Sequence, residues 1–205
     1  MQFYHDSTTD KSFRFLSELK KRYRFVLIGG WAVFLYTHSL KSKDIDIVLD
    51  YDELGRLREE FIANKNDRLK KYEIKTGEFD VDIYVAHYSD LGLPAEKIRE
   101  AAVARDGFLA PPLEMLLLLK LYAWRDRRGT VKGRKDELDI LSLAFLPEFD
   151  WRRYKAMVKE FTFVAYGENL TTLLTAVKSV PELKLNDMRT SRLKKRIIAE
   201  LSREN

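Results

Sequence analysis

The sequence predicts an α/β (α+β) fold: a small mixed β-sheet flanked by helices, followed by a helical C-terminal region. Three observations predict it. Residues 25–50 read as strand, Gly-Gly turn, short apolar helix, loop and second strand. Residues 69–85 read as a β-hairpin with alternating polarity. From Pro111 on, the pattern is helical to the end. The expected division is therefore a sheet-bearing part, residues 1–110, and a helical part, residues 111–205.

Each element has its own signal. In Ser12–Tyr23 (SFRFLSELKKRY) the apolar residues fall at 13, 15, 16 and 19, a helical spacing. Lys20, Lys21 and Arg22 then sit near the C-terminus, where the helix dipole favours cations. Phe25-Val26-Leu27-Ile28 is an apolar strand broken by Gly29 and Gly30. Glycine does this where backbone bends sharply or lies close to a ligand. Trp31–Leu40 is apolar enough for a buried helix of about two to three turns. Asp44, Ile45, Asp46 and Ile47 alternate, so the two aspartates share one strand face and the isoleucines enter the core. Tyr51-Asp52 is expected to cap a helix over 52–65, with Leu54, Leu57 and Phe61 inward.

The hairpin joins Leu69–Ile74 to Phe79–Val85 around Lys75-Thr76-Gly77-Glu78. Asp80 and Asp82 share a face, opposite Phe79, Val81 and Ile83. Pro94 opens a helix running to Ala102, since proline fits the first helical turn. Arg105-Asp106-Gly107 ends it, and Phe108-Leu109-Ala110 is a candidate short strand. Leu113–Trp124 is the most apolar segment, and Lys120 is its only cation. A lysine there either snorkels or reaches a polar site. Residues 125–135 are polar, hold Gly129 and Gly133, and read as a mobile loop. Three helices are expected over 151–163, 167–178 and 188–203, with breaks at Pro147 and Pro181.

Composition narrows the class. Of 205 residues, 45% are apolar and 34% charged, a globular profile with enough chain for a substantial core. No run approaches the ~20 apolar residues of a membrane span, so no membrane partner is expected. The start, Met1 to Asp6, lacks the pattern of a signal peptide. With no cysteine there is no disulfide or thiolate zinc site. A cytoplasmic location is the expectation.

Two carboxylates on one face repel unless a cation sits between them. Mg²⁺, or Mn²⁺ in its place, accepts such oxygen ligands together with substrate phosphates. Gly29-Gly30 at a helix start offers backbone N–H groups to a phosphate. Gly29-Gly30, then thirteen residues, then Asp44-Ile45-Asp46-Ile47 resembles the signature of the nucleotidyltransferase fold superfamily, the fold of DNA polymerase beta. The longer string GGWAVFLY…KSKDIDIVLD is most similar to its AbiEii/MenT-like branch, which includes toxins of abortive-infection and toxin–antitoxin systems.

The resemblance implies a Mg²⁺- or Mn²⁺-dependent enzyme that moves an NMP from an NTP to an acceptor hydroxyl. It implies metal binding by Asp44 and Asp46, and nucleotide contacts from Gly29, Gly30 and Lys43. A third acid is expected on a later strand. Asp82, followed by Ile-Tyr, matches better, and Asp80 is the alternative. That acid would bind a second metal or act as base. Lys120, with Arg125 or Arg127 after it, precedes Lys135-Asp136-Glu137-Leu138-Asp139-Ile140 in the manner of the same branch. The implied roles are a triphosphate contact for Lys120 and a site or structural acid in Asp139.

Charge is uneven. Residues 151–205 hold 12 Lys and Arg against 6 Asp and Glu, whereas the first 150 hold 25 against 26. A polyanionic partner for the C-terminal part is one reading, and a solvated helical face is the other. Trp151, Tyr154, Phe161, Phe163 and Tyr166 lie among the basic residues, either as helix core or as stacking platforms for nucleic acid. Under the resemblance the acceptor is RNA, tRNA first, and an antitoxin protein is a possible partner. The alternatives are a non-catalytic nucleotide- or RNA-binding relative, or a small-molecule nucleotidyltransferase of the aminoglycoside-modifying kind.

Overall fold

Alternation along two short stretches decides the sheet. The computed structural model describes residues 6–162 and 164–203, without the side chains of 164–167. The start through His5, Phe163 and the Tyr166 side chain lie outside the described residues. The chain divides into two compact units, one ending at Pro112 and one beginning at Leu113.

The main sheet of the first unit has five strands: β1 Val26–Ile28, β2 Ile45–Val48, β3 Asn64–Asn66, β4 Lys71–Lys75 and β5 Asp80–Tyr84. Their order is β1-β2-β5-β4-β3. β2 and β5 are parallel, and the other neighbours are antiparallel, so the sheet is mixed as expected. The register sets Ile45 beside Val81, Asp46 beside Asp82 and Ile47 beside Ile83. One face therefore buries Ile45, Ile47, Val81 and Ile83 completely. Each such side chain contributes roughly 1.5–3 kcal/mol. The other face gathers Asp46, Asp82 and Glu73, the last opposite Asp82 on β4. A slip of one residue would drive these carboxylates into the core, so the apolar face fixes the register of the polar one.

Helices α1 Asp6–Arg22, α2 Gly29–Thr37, α3 Tyr51–Glu60 and α4 Ala95–Glu100 complete this unit with a small hairpin. α1 starts six residues before the expected Ser12. Its Ser12 Oγ accepts the buried Trp31 indole N–H at 3.0 Å. α3 is capped by Asp50, whose carboxylate accepts the Glu53 N–H at 2.8 Å, and not by Tyr51-Asp52. It stops at Glu60 because Asn64–Asn66 is drawn off as the edge strand beside β4. α4 stops at Glu100 and not Ala102, because Val103–Arg105 (β6) pairs with Phe108–Ala110 (β7). Asp106 and Gly107 turn that hairpin at φ of 45° and 78°.

In the second unit, α5 Leu113–Arg125, α6 Val131–Ala144, α7 Trp151–Glu160, α8 Val164–Ala176 and α9 Asp187–Ser202 pack against one another. The expected loop over 125–135 is shorter than its composition implied. Thr130 Oγ1 accepts the Gly133 N–H at 3.0 Å and starts α6 at Val131. A Cβ at Gly133 would lie 1.9 Å from the Arg127 carbonyl oxygen, so this glycine serves close packing. Trp151 and Tyr154 are buried, with rings 5.6 Å apart, and are core side chains. Among the described residues no helix is long and apolar enough to cross a membrane.

Candidate active site

The junction of β1 and α2 is where the sheet meets a helix start. Ile28 is the N-cap and makes no side-chain cap bond, and Gly29 follows at φ 65°. That left-handed conformation suits glycine. Space demands it as well: a Cβ on Gly29 would lie 2.0 Å from Asp46 Oδ2. The Gly29 backbone thus rests against the Asp46 carboxylate. Gly30 is buried in the first turn of α2, where backbone N–H groups lack intrahelical acceptors.

Asp46 and Asp82 are neighbours by register on the two parallel strands. The Tyr84 hydroxyl donates to Asp46 Oδ1 at 3.4 Å. Asp44 lies in the bend just before β2, and its Oδ1 accepts the Asp80 N–H at 3.1 Å. Lys43 shares that bend and is partly exposed. Asp80 pairs with Lys75 at 2.7 Å at the hairpin end. The register therefore sets Asp82, not Asp80, opposite Asp46.

Lys71 enters this face from β4. Its Nζ is 2.5 Å from Asp82 Oδ2 and 2.9 Å from Glu73 Oε1. The three side chains are only 11%, 15% and 13% exposed, for Lys71, Asp82 and Glu73 respectively. Asn66 Nδ2 donates to Glu73 Oε2 at 3.1 Å. Burial, and next the Asp46 charge, push the Asp82 carboxyl up to about 6 despite Lys71. Burial works against the Lys71 charge, but hydrogen bonds to Asp82 and Glu73 hold its ammonium above the usual lysine range. Glu73 is held below the usual carboxylate range, first by its hydrogen bond from Lys71.

Asp82 Oδ1 is buried and has no hydrogen-bond partner. An orphaned carboxylate oxygen beside a second carboxylate fits a hard divalent cation. Among the described residues, however, no group of three or more His, Cys, Asp or Glu is drawn together as a metal site. Asp82 and Glu73 instead share Lys71, with Asp46 beside Asp82 by register. Lys71, Glu73 and Tyr84 escaped the sequence reading. The signal was there in the alternation of Lys71, Glu73 and Lys75, which marks the polar face of β4.

Lys120 belongs to the second unit. Its Nζ is 2.7 Å from Asp139 Oδ2 and 3.2 Å from Asp136 Oδ1. Lys135 Nζ is 2.5 Å from Asp139 Oδ1, and Arg127 Nη1 is 3.3 Å from Asp136 Oδ2. Lys120, Lys135, Asp136 and Asp139 are all buried. Burial pushes the Lys135 ammonium below the ordinary lysine range. Lys120 thus answers its burial with two carboxylates instead of snorkelling. Gly29, Gly30, Asp44, Asp46 and Asp82 are gathered in the first unit, and Lys120 is held by its own acids in the second.

No protein-family model and no curated protein matches the sequence. Solved structures do. One is an H. pylori protein classed provisionally as a nucleotidyltransferase, at 17% identity and TM-score 0.55, covering 97% of each chain. Another is JHP933 from Helicobacter pylori, at 19% identity and TM-score 0.53, covering 96% of this chain and 94% of that one. With its five-stranded mixed sheet flanked by helices, this chain has the nucleotidyltransferase fold.

Proposed function

We propose that the first unit is the catalytic core of a nucleotidyltransferase that moves an NMP from an NTP to an acceptor hydroxyl. One observation carries this reading: Asp46 and Asp82 stand side by side on parallel strands, with Gly29 at a helix start pressed against Asp46. Asp46 and Asp82 would hold a divalent cation, with Asp44 beside them. When bound, that cation supplies charge neutralisation and Lewis-acid polarisation at the phosphates. The backbone N–H groups at Gly29 and Gly30 would orient the phosphate chain. Tyr84 fixes the Asp46 carboxylate through Oδ1. The acceptor oxygen would bond to the α-phosphorus as pyrophosphate leaves and the hydroxyl proton passes to solvent, so no side chain is asked to be a nucleophile. Fold alone does not establish chemistry, which is why the site carries the reading.

The finer reading is an AbiEii/MenT-like enzyme acting on RNA, tRNA first, in a toxin–antitoxin setting. It is supported by the string GGWAVFLY…KSKDIDIVLD and by the basic excess after residue 150. On α9, Arg189, Arg192, Lys195 and Arg196 are exposed. Lys194 instead donates to the Val177 carbonyl oxygen at the end of α8, so it serves packing.

The test incubates the protein with each α-labelled NTP, Mg²⁺ and either total RNA or total protein. Label is expected in RNA, and is expected to vanish in Asp46→Asn. Label on a small hydroxylated molecule alone would replace RNA with a small-molecule acceptor. Absence of transfer from all four NTPs would sink the enzymatic reading.

A further inference from the structure

Lys71 has no place in the function just described, yet it makes the tightest contact in the site. It reaches from the neighbouring strand to two carboxylates whose side chains are largely buried, at 2.5 and 2.9 Å. An unpaired buried carboxylate is costly, and Asp82 faces the added charge of Asp46 from the next strand. One ammonium shared between Asp82 and Glu73 is the charge compensation the face holds without a bound ion. Lys75 reaches Glu73 only at 3.7 Å and belongs mainly to Asp80.

We propose that Lys71 is a resident counter-cation that a divalent cation must displace from Asp82. The proposal rests on Asp46 and Asp82 being the cation site. Asp82 Oδ2 carries the lysine, while Oδ1 is buried without a hydrogen-bond partner, so the carboxylate is half satisfied. A cation held by Asp82 would bring positive charge beside the carboxylate and make the nearby ammonium repulsive. Lys71 then keeps Glu73, which has Asn66 as a second partner. The arrangement keeps the strands together in the absence of metal and weakens metal binding until nucleotide phosphates add their own oxygens. Lys71 is thus a positioning residue, acting through Asp82.

The experiment titrates Mn²⁺ into the full chain without nucleotide and counts free ion by electron paramagnetic resonance. In Lys71→Met the Mn²⁺ affinity is expected to rise about tenfold. Its melting temperature without metal is expected to fall, and Mn²⁺ is expected to restore it more than it shifts the wild type. Lys71→Arg keeps the charge and is expected to bind Mn²⁺ as weakly as the wild type. If Lys71→Met does not fold, Lys71→Gln provides the same comparison. Unchanged or weaker Mn²⁺ binding in the folded neutral variant overturns the proposal, as does tighter binding in Lys71→Arg. The site reading fails separately, if Asp46→Asn/Asp82→Asn binds Mn²⁺ as the wild type does.

Discussion

Each unit holds a cluster of charges out of water, and the two clusters differ in balance. In the second unit Lys120 and Lys135 face Asp136 and Asp139, with Arg127 at the edge. Cations and anions there alternate and satisfy one another. On the polar face of the sheet, Lys71 bridges Asp82 and Glu73, with Asp46 adjoining and Lys75 reaching Glu73 only at 3.7 Å. A balanced buried cluster explains itself as structure. An acid-rich one asks for positive charge from outside, and carboxyls perturbed by burial and a neighbouring charge, as Asp82 is, cluster at functional sites.

The comparison is broken most severely at its balanced end. Asp139→Asn leaves two buried lysines short of a carboxylate and is expected to cost about 3–5 kcal/mol, read by chemical denaturation. A loss under ~1 kcal/mol would mean the cluster is not the anchor of that unit. Gly29→Ala forces an L-residue into φ 65° and sets its Cβ against Asp46. The expected cost is about 2 kcal/mol, together with loss of nucleotide binding, checked by melting with and without NTP.

The acid-rich end responds the other way. Asp46→Asn removes a like charge and is expected to leave stability within ~1 kcal/mol of wild type. Transfer activity is expected to fall at least about a hundredfold in the same protein. Asp82 sharpens the point through pH. Its carboxyl titrates near about 4 when unfolded and at about 6 in the fold. The folded state binds that proton more tightly, so the stability this residue contributes is fullest below about pH 4 and is lost as pH rises through about 6. In Asp46→Asn that loss is expected to shrink, as measured by urea denaturation across pH 4–7. The smallest effect concerns α9. Replacing Arg189, Arg192 and Lys195 with Ala is expected to flatten the salt dependence of RNA binding by about 0.7 per charge, with donor affinity unchanged.

Much of the site was legible because a strand's period is two. Asp46 and Asp82 were readable as members of polar strand faces and Gly29-Gly30 as a backbone break, whereas Asp44, expected on the same strand face as Asp46, lies in the bend before β2. Asn64–Asn66 was not readable as a strand, because an edge strand of Asn-Lys-Asn has no apolar partner to bury. Helix ends were misjudged where a cap decides them, as at Asp50 and Thr130. The alternation on β4 marks Lys71 as part of a polar face, but not as a partner of Asp82, which strand pairing brings beside it from eleven residues away. Lys120 was conspicuous alone, but its partners Asp136 and Asp139 are brought to it only when α6 packs on α5.

The far end of α2 also bears on how the near end behaves. The Tyr36 hydroxyl donates to the Pro111 carbonyl at 2.9 Å, and Arg105 Nε donates to the Leu35 carbonyl at 3.2 Å. Most of the helix between is buried. Such a helix is a fixed strut, and the amides at Gly29 and Gly30 cannot swing to follow a ligand. Under the proposed function, recognition there would be selective by shape: a phosphate would be accepted where the amides already point. Little conformational entropy is then lost on docking, so calorimetry on donor analogues should track contacts made at the phosphates and show little ordering of the protein.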